Sequence, residues 1–170
     1  VHFPIAFLVL YTVLECIRFE RILALPWIRS VRGMLVMLGT VTALLARQAG
    51  EFDARQYTGE YVRRAIELHA TWANATIAVY GVVALWYALI LAEEWGVWGW
   101  LLQKLPRLTS AHAWLIVRAD RITQNGILMP LAIVGCMLLL VAGALGALVA
   151  YGPVADPFVT FIAQKFGFIQ

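Results

Sequence analysis

The chain has 170 residues, of which 62% are hydrophobic and 14% are charged, and its formal net charge is +3. Soluble domains carry about 25% charged residues, so this composition and a mean hydropathy of +0.80 indicate a membrane protein. A soluble enzyme with its own substrate pocket is excluded. The basic residues form short clusters beside apolar runs, a pattern typical of membrane topology signals and not of nucleic-acid binding.

Four apolar stretches predict an all-α fold, an integral membrane four-helix bundle in a single domain spanning residues 1–170. The predicted spans cover about residues 3–17, 33–47, 68–92 and 127–150. The third is the clearest, because no Asp, Glu, Lys or Arg lies between Leu68 and Ala92. The polar residues just before it predict a helical extension that is exposed to water.

Two further segments predict short helices that lie in the membrane interface. The first covers about residues 95–117, and three tryptophans fall within its first six residues. It is too short and too rich in glycine to span, and Pro106 divides it. The second covers about residues 157–168, where aromatic and apolar residues recur at helical spacing.

Alternating crossings define the two ends of the predicted bundle. Face A receives the start of the first and third spans and the end of the second and fourth, and face B receives the opposite ends. Eight basic residues belong to face B and five to face A, so face B is predicted to be cytoplasmic, with both termini on the external side. The face B residues are Arg18, Arg21, Arg29, Arg32, Lys104, Arg107, Arg118 and Arg121; those of face A are Arg47, Arg55, Arg63, Arg64 and Lys165.

Two histidines are predicted to meet at face A. His2 lies at the start of the first span, and His69 lies one turn inside the apolar boundary of the third, where an ionisable residue is a candidate functional site. Imidazole is the usual axial donor to a non-covalently bound haem, and four-helix bundles commonly hold one. Glu51 and Tyr151 belong to the same face, and such neighbours could hydrogen-bond the second nitrogen of a ligand. The structural alternative is an interfacial His2 and a His69 that bonds a neighbouring carbonyl.

Two polar residues lie within other parts of the predicted spans. Glu15, one turn from face B, is predicted to pair with Arg18 at i+3, and the alternative is a role as a proton relay. Asn74, in the third span, is expected to hydrogen-bond to another helix.

Several motifs of the chain resemble one family. They are His2-Phe3-Pro4-Ile5-Ala6, the carboxylate Glu15, Ala49-Gly50-Glu51, the histidine that opens the third span, and the glycine-rich run from Leu145 to Pro153. Together they resemble the "domain of unknown function 2231" family of small bacterial four-helix membrane proteins. The resemblance extends from His2 to about Asp156, without the family's usual segment before His-Phe-Pro and without a match for residues 95–121. It implies the fold and a bacterial inner-membrane location, and it implies electron transfer because members occur beside or fused to cytochromes.

The leading hypothesis is a b-type cytochrome-like electron-transfer subunit of a larger respiratory or photosynthetic-type complex. It would hold haem b on His2 and His69, with Glu51 or Tyr151 beside them. Its partners would be lipid, other membrane subunits and a c-type cytochrome or quinone. The alternative is a cofactor-free structural or assembly subunit, which the seven tryptophans favour. A proton or solute carrier that uses Glu15 is a third hypothesis.

Overall fold

The computed structural model describes residues 2–57 and 59–169, apart from the side chain of His2, and this part of the chain is helical without any strand. The all-α prediction is therefore confirmed. A short 3-10 turn at Pro106–Leu108 separates the fifth and sixth helices. The helices are α1 (His2–Cys16), α2 (Glu20–Leu23), α3 (Ile28–Ala54), α4 (Glu60–Glu94), α5 (Val97–Lys104), α6 (Thr109–Gln124), α7 (Leu128–Tyr151) and α8 (Pro157–Lys165).

Three of these helices, α3, α4 and α7, are long and apolar enough to cross a membrane. Helix α1 is also apolar but has 15 residues. At a rise of 1.5 Å per residue it extends about 22 Å, against a hydrocarbon core of roughly 30 Å. The three long helices make the chain consistent with a multi-pass membrane protein.

The helices continue beyond the apolar stretches that predict them. Helix α3 ends at Ala54, so Glu51 lies on a helix and not in a connecting segment. Helix α4 begins at Glu60, which confirms the polar helical extension before the third stretch. Helix α6 continues past the predicted interfacial segment to Gln124, because its last turns bury Ala119 and Thr123 against the rest of the protein.

The four apolar helices pack side by side in a ring. Helix α1 contacts α3 and α7, and α4 also contacts both of these helices. The earlier residue of α4, His69, bonds the later residue of α7, Ala142, whereas Tyr80 bonds Ala132. Helices α4 and α7 are therefore antiparallel.

Two apolar clusters form the interior. The first lies towards face B and takes residues from all four helices: Leu8, Tyr11, Val36, Tyr80, Val83, Tyr87, Leu128 and Ala132. The second lies at face A and is built by α4, α7 and α8: Ala65, Ala144, Leu145, Leu148, Val159, Ile162 and Ala163. Helix α8 thus covers the α4–α7 seam, and the N–H groups at its start are capped by Asp156.

Gly39 allows α1 and α3 to approach closely. A Cβ atom at this position would lie 2.6 Å from Leu8 Cδ2 and 3.2 Å from Phe7 Cβ. Leu8 is fully buried, so its side chain has no free space into which it could move.

The Gly39→Ala variant is expected to be less stable than the parent protein by about 1–3 kcal/mol, because the added methyl group overpacks this contact. The measurement is thermal unfolding in detergent. Gly81→Ala is the matched control, since a Cβ on that glycine of α4 meets nothing within 4 Å. Equal melting temperatures for the two variants would contradict the close packing of α1 on α3.

Candidate functional site

A carboxylate is completely buried at the end of α1. The side chain of Glu15 is 0% exposed and lies between α3 and α4. The hydroxyl of Tyr87 donates a hydrogen bond to Glu15 Oε2 at 2.8 Å. Since a buried charge is costly unless it is paired, the groups around Glu15 determine what the site can do.

Two guanidinium groups face this carboxylate. Arg18 Nη1 lies 3.9 Å from Glu15 Oε1, as the i+3 spacing predicts. Arg32 Nη1, from α3, lies 3.9 Å from Glu15 Oε2, and its side chain is only 4% exposed. These separations give electrostatic attraction without a direct hydrogen bond, so the ion pairs leave hydrogen-bonding capacity unused.

Arg32 also binds the carboxyl end of α1. Its Nη2 donates hydrogen bonds to the carbonyl oxygens of Leu14 and Ile17, the latter at 3.0 Å. The last carbonyls of a helix have no partner within that helix, and a cation there also interacts favourably with the helix dipole. One buried side chain therefore fastens α1 to α3.

Four buried polar atoms of this region have no hydrogen-bond partner in the described part of the chain. They are Glu15 Oε1, Arg18 Nη1, Arg32 Nε and Tyr11 Oη. Tyr11 packs edge-on against Tyr87, with ring centroids 5.9 Å apart. Buried polar groups are nearly always bonded, so their concentration in one place marks the region as a candidate site. We call Tyr11, Glu15, Arg18, Arg32 and Tyr87 the Glu15 cluster.

A cavity of about 360 Å³ lies beside the Glu15 cluster at face B. Its walls come from the connection between α2 and α3, from the start of α3, and from the facing sides of α4 and α6. The lining residues are Leu23, Ala24, Leu25, Pro26, Ile28, Arg29, Arg32, Tyr87, Thr123 and Gln124.

A second ion-pair network holds α6 against this end of the bundle. Arg29 lies 2.7 Å from Glu94 and 2.6 Å from Asp120, and so joins α3 to both α4 and α6. Ser30 donates a further hydrogen bond to Glu94 at 2.9 Å. Arg18 also contacts α6, because its Nη2 donates a hydrogen bond to the carbonyl oxygen of Gln124.

At the opposite end, His69 is fixed against α7. Its Nδ1 lies 2.8 Å from the carbonyl oxygen of Ala142. A carbonyl can only accept, so Nδ1 carries the proton, and in the neutral ring the lone pair is on Nε2. A Cβ atom at Gly146 would lie 3.2 Å from His69 Cε1, so this glycine leaves room for the ring.

The other residues predicted to share the His69 site are not joined to it by a hydrogen bond or ion pair in the described part of the chain. Glu51 pairs with Arg47 on its own helix at 2.6 Å. Tyr151 is 79% exposed at the end of α7. The imidazole of His2 lies outside the described residues. No group of three or more His, Cys, Asp or Glu residues within residues 2–57 and 59–169 is placed to hold a metal ion.

Asn74 departs from expectation. Its side chain is exposed on the outer surface of α4 and makes no hydrogen bond to another helix within the described residues. The expected bond is therefore wrong for this chain taken alone. The spacing of Asn74 places it opposite the faces of α4 that pack on α3 and α7, so it lies on the outer surface of the four packed helices.

Comparison with known proteins adds no relative. No family model matches the chain, and no curated protein or solved structure matches it. The resemblance to the "domain of unknown function 2231" family thus depends on the motifs alone and stays a prediction.

Sequence reasoning found Glu15 and its pairing with Arg18 but missed the partners from other helices. Arg32 was counted only as a basic residue of face B, and Tyr87 is one of several aromatic residues in an apolar helix. A usable signal was the position of Arg32, which is close to the apolar part of α3, at the same depth as Glu15.

Arg32 and Arg29 provide a direct comparison, because both begin the same helix and both pair with carboxylates. Arg32→Met is expected to destabilise the protein by about 3–5 kcal/mol, since it leaves the buried Glu15 without its partner. Arg29→Met breaks more exposed pairs and is expected to cost about 1 kcal/mol or less. Thermal or denaturant unfolding in detergent measures both, and similar losses would argue against a decisive role for burial.

Proposed function

We propose that the chain is a multi-pass subunit of an electron-transfer complex in the bacterial inner membrane. In this proposal α1, α3, α4 and α7 are the four crossings, α8 and the α5–α6 region lie at the two interfaces, and face B is cytoplasmic. The ring packing of the four helices and the excess of basic residues at face B support this arrangement.

The observation that carries the proposal is the orientation of His69. Its Nδ1–H is bound to the Ala142 carbonyl, which leaves the lone pair of Nε2 free to bind a metal ion. Metal-bound histidines usually donate their other ring N–H to a carbonyl or carboxylate, which fixes the tautomer and the ring orientation. The donor chemistry of His69 therefore fits haem iron.

His69 and His2 would hold a haem b near face A, where the group would supply one-electron transfer. The protein's own part is to orient His69 through Ala142 and to keep the ring close to the backbone of α7 through Gly146. Glu51 and Tyr151 stay predicted neighbours of the haem. A c-type cytochrome or quinone would be the redox partner.

A role as a subunit is supported by Asn74. An exposed amide within an apolar helix lacks partners in lipid, and a polar side chain from a neighbouring helix would satisfy it. The same observation fits the second candidate function, a cofactor-free structural subunit. In that case the bond from His69 to Ala142 serves only to join α4 to α7.

A dithionite-reduced minus oxidised optical spectrum with a pyridine haemochromogen assay tests the haem proposal. The parent protein is expected to show a b-type signal that His69→Ala abolishes. His112→Ala is the control. His112 pairs with Glu93 at face B, so this variant is expected to leave the signal unchanged. A folded protein without haem would leave the structural subunit as the better proposal.

The two neighbouring glycines of α7 allow a finer test. Gly146→Ala is expected to displace the His69 ring and so shift or weaken the haem signal, because the new methyl group would lie 3.2 Å from Cε1. Gly143→Ala adds the same methyl group where no atom lies within 4 Å, and it is expected to leave the spectrum unchanged. Identical spectra for both variants would contradict ligation by His69 in this position.

A further inference from the structure

The cavity at face B has the features of a built binding site. Its volume of about 360 Å³ falls within the range of roughly 300–1,000 Å³ that is usual for small-molecule pockets. Part of the lining is apolar, formed by Leu23, Ala24, Leu25 and Pro26, and the other lining residues include the polar Arg29, Arg32, Thr123 and Gln124. Because the cavity lies at the end of the apolar helices, a lipid-soluble molecule could enter from the membrane interface.

Arg32 supplies the polar anchor. Its side chain lines this cavity, is 4% exposed, and has no hydrogen-bond partner at Nε. The other end of the same guanidinium group is fixed by the carbonyls of Leu14 and Ile17. Arg32 is therefore held in place by two bonds, while its buried Nε is left as an unpartnered donor in the described part of the chain, which an acceptor oxygen of a ligand would satisfy.

Both cations that line the cavity, Arg29 and Arg32, are already paired with carboxylates, and this favours a neutral ligand. The cations Arg18, Arg29 and Arg32 are matched by Glu15, Glu94 and Asp120, through the ion pairs already described. An anion such as a phosphate group would disturb this balance. A neutral, apolar molecule with an acceptor oxygen suits it better, and Tyr87 is among the residues that line the space.

We propose that this cavity binds the headgroup of a membrane quinone. A ring carbonyl accepts a hydrogen bond from Arg32 Nε, and the apolar connection between α2 and α3 leads the tail towards lipid. Glu15 positions Arg32 through their ion pair, and Tyr87 forms part of the cavity wall behind the quinone ring. The site is at the face opposite His69 and uses none of the residues proposed to bind haem, so either proposal can fail while the other holds.

Equilibrium dialysis of the 170-residue chain in detergent, with a water-soluble benzoquinone that carries a single isoprene unit, tests the proposal. Saturable binding is expected for the parent protein. Ala24→Phe is expected to abolish it by filling the cavity from an exposed position on its wall. Arg32→Lys keeps a positive charge near Glu15 but removes the Nε donor, and it is expected to weaken binding by at least about tenfold.

A matched control separates the site from the rest of the protein. Ala150→Phe adds the same bulk at an exposed position near face A and is expected to leave quinone affinity unchanged. If Arg32→Lys does not fold, Ala24→Phe still decides the outcome. The proposal is overturned by an absence of saturable quinone binding, by binding that Ala24→Phe leaves unchanged, or by displacement of the quinone with inorganic phosphate or phosphatidylglycerol.

Discussion

The interaction between Glu15 and Arg32 is the constraint on which the face B half of the protein depends. A buried carboxylate is costly as an ion unless a cation lies near it, and the nearest buried cation is supplied by another helix. Because Arg32 also binds the terminal carbonyls of α1, and Tyr87 of α4 donates to Glu15, three helices are held in one register. The end of α1, the cavity and the approach of α6 through Arg18 follow from that arrangement.

The two ends of the bundle differ in how they are held together. Face B carries ion pairs that join α1, α3, α4 and α6, and the pair between Glu15 and Arg32 is buried. At face A the seam between α4 and α7 is apolar and closely packed. Among the described residues, one hydrogen bond crosses this seam from a side chain to the backbone, and it joins His69 to Ala142. The polar contact within the face A seam is therefore made by histidine, whereas the buried polar groups at face B are arginine, tyrosine and carboxylate.

Hydropathy predicted the helices well, because apolar runs and their charged ends are local features of the sequence. It predicted the ends of α3 and α6 poorly, since polar residues continue a helix where they stay hydrated or where, as at Thr123, they pack against a neighbour. The depth of Arg32 in the sequence is compatible with pairing to Glu15, but the pairing itself depends on how α1 and α3 are rotated against each other, which the sequence does not give. The same limit applies to His69, whose partner on α7 is far away in the chain.

A double-mutant cycle between Glu15 and Arg32 tests the central claim most directly. Unfolding free energies are measured in detergent for the parent, Glu15→Gln, Arg32→Met and the double variant. Residues that share a buried interaction show coupling energies of about 0.5–3 kcal/mol, and we expect a value in that range, with the double variant less damaged than the sum of the single changes. Additive losses would show that the two side chains stabilise the protein independently and would contradict the account.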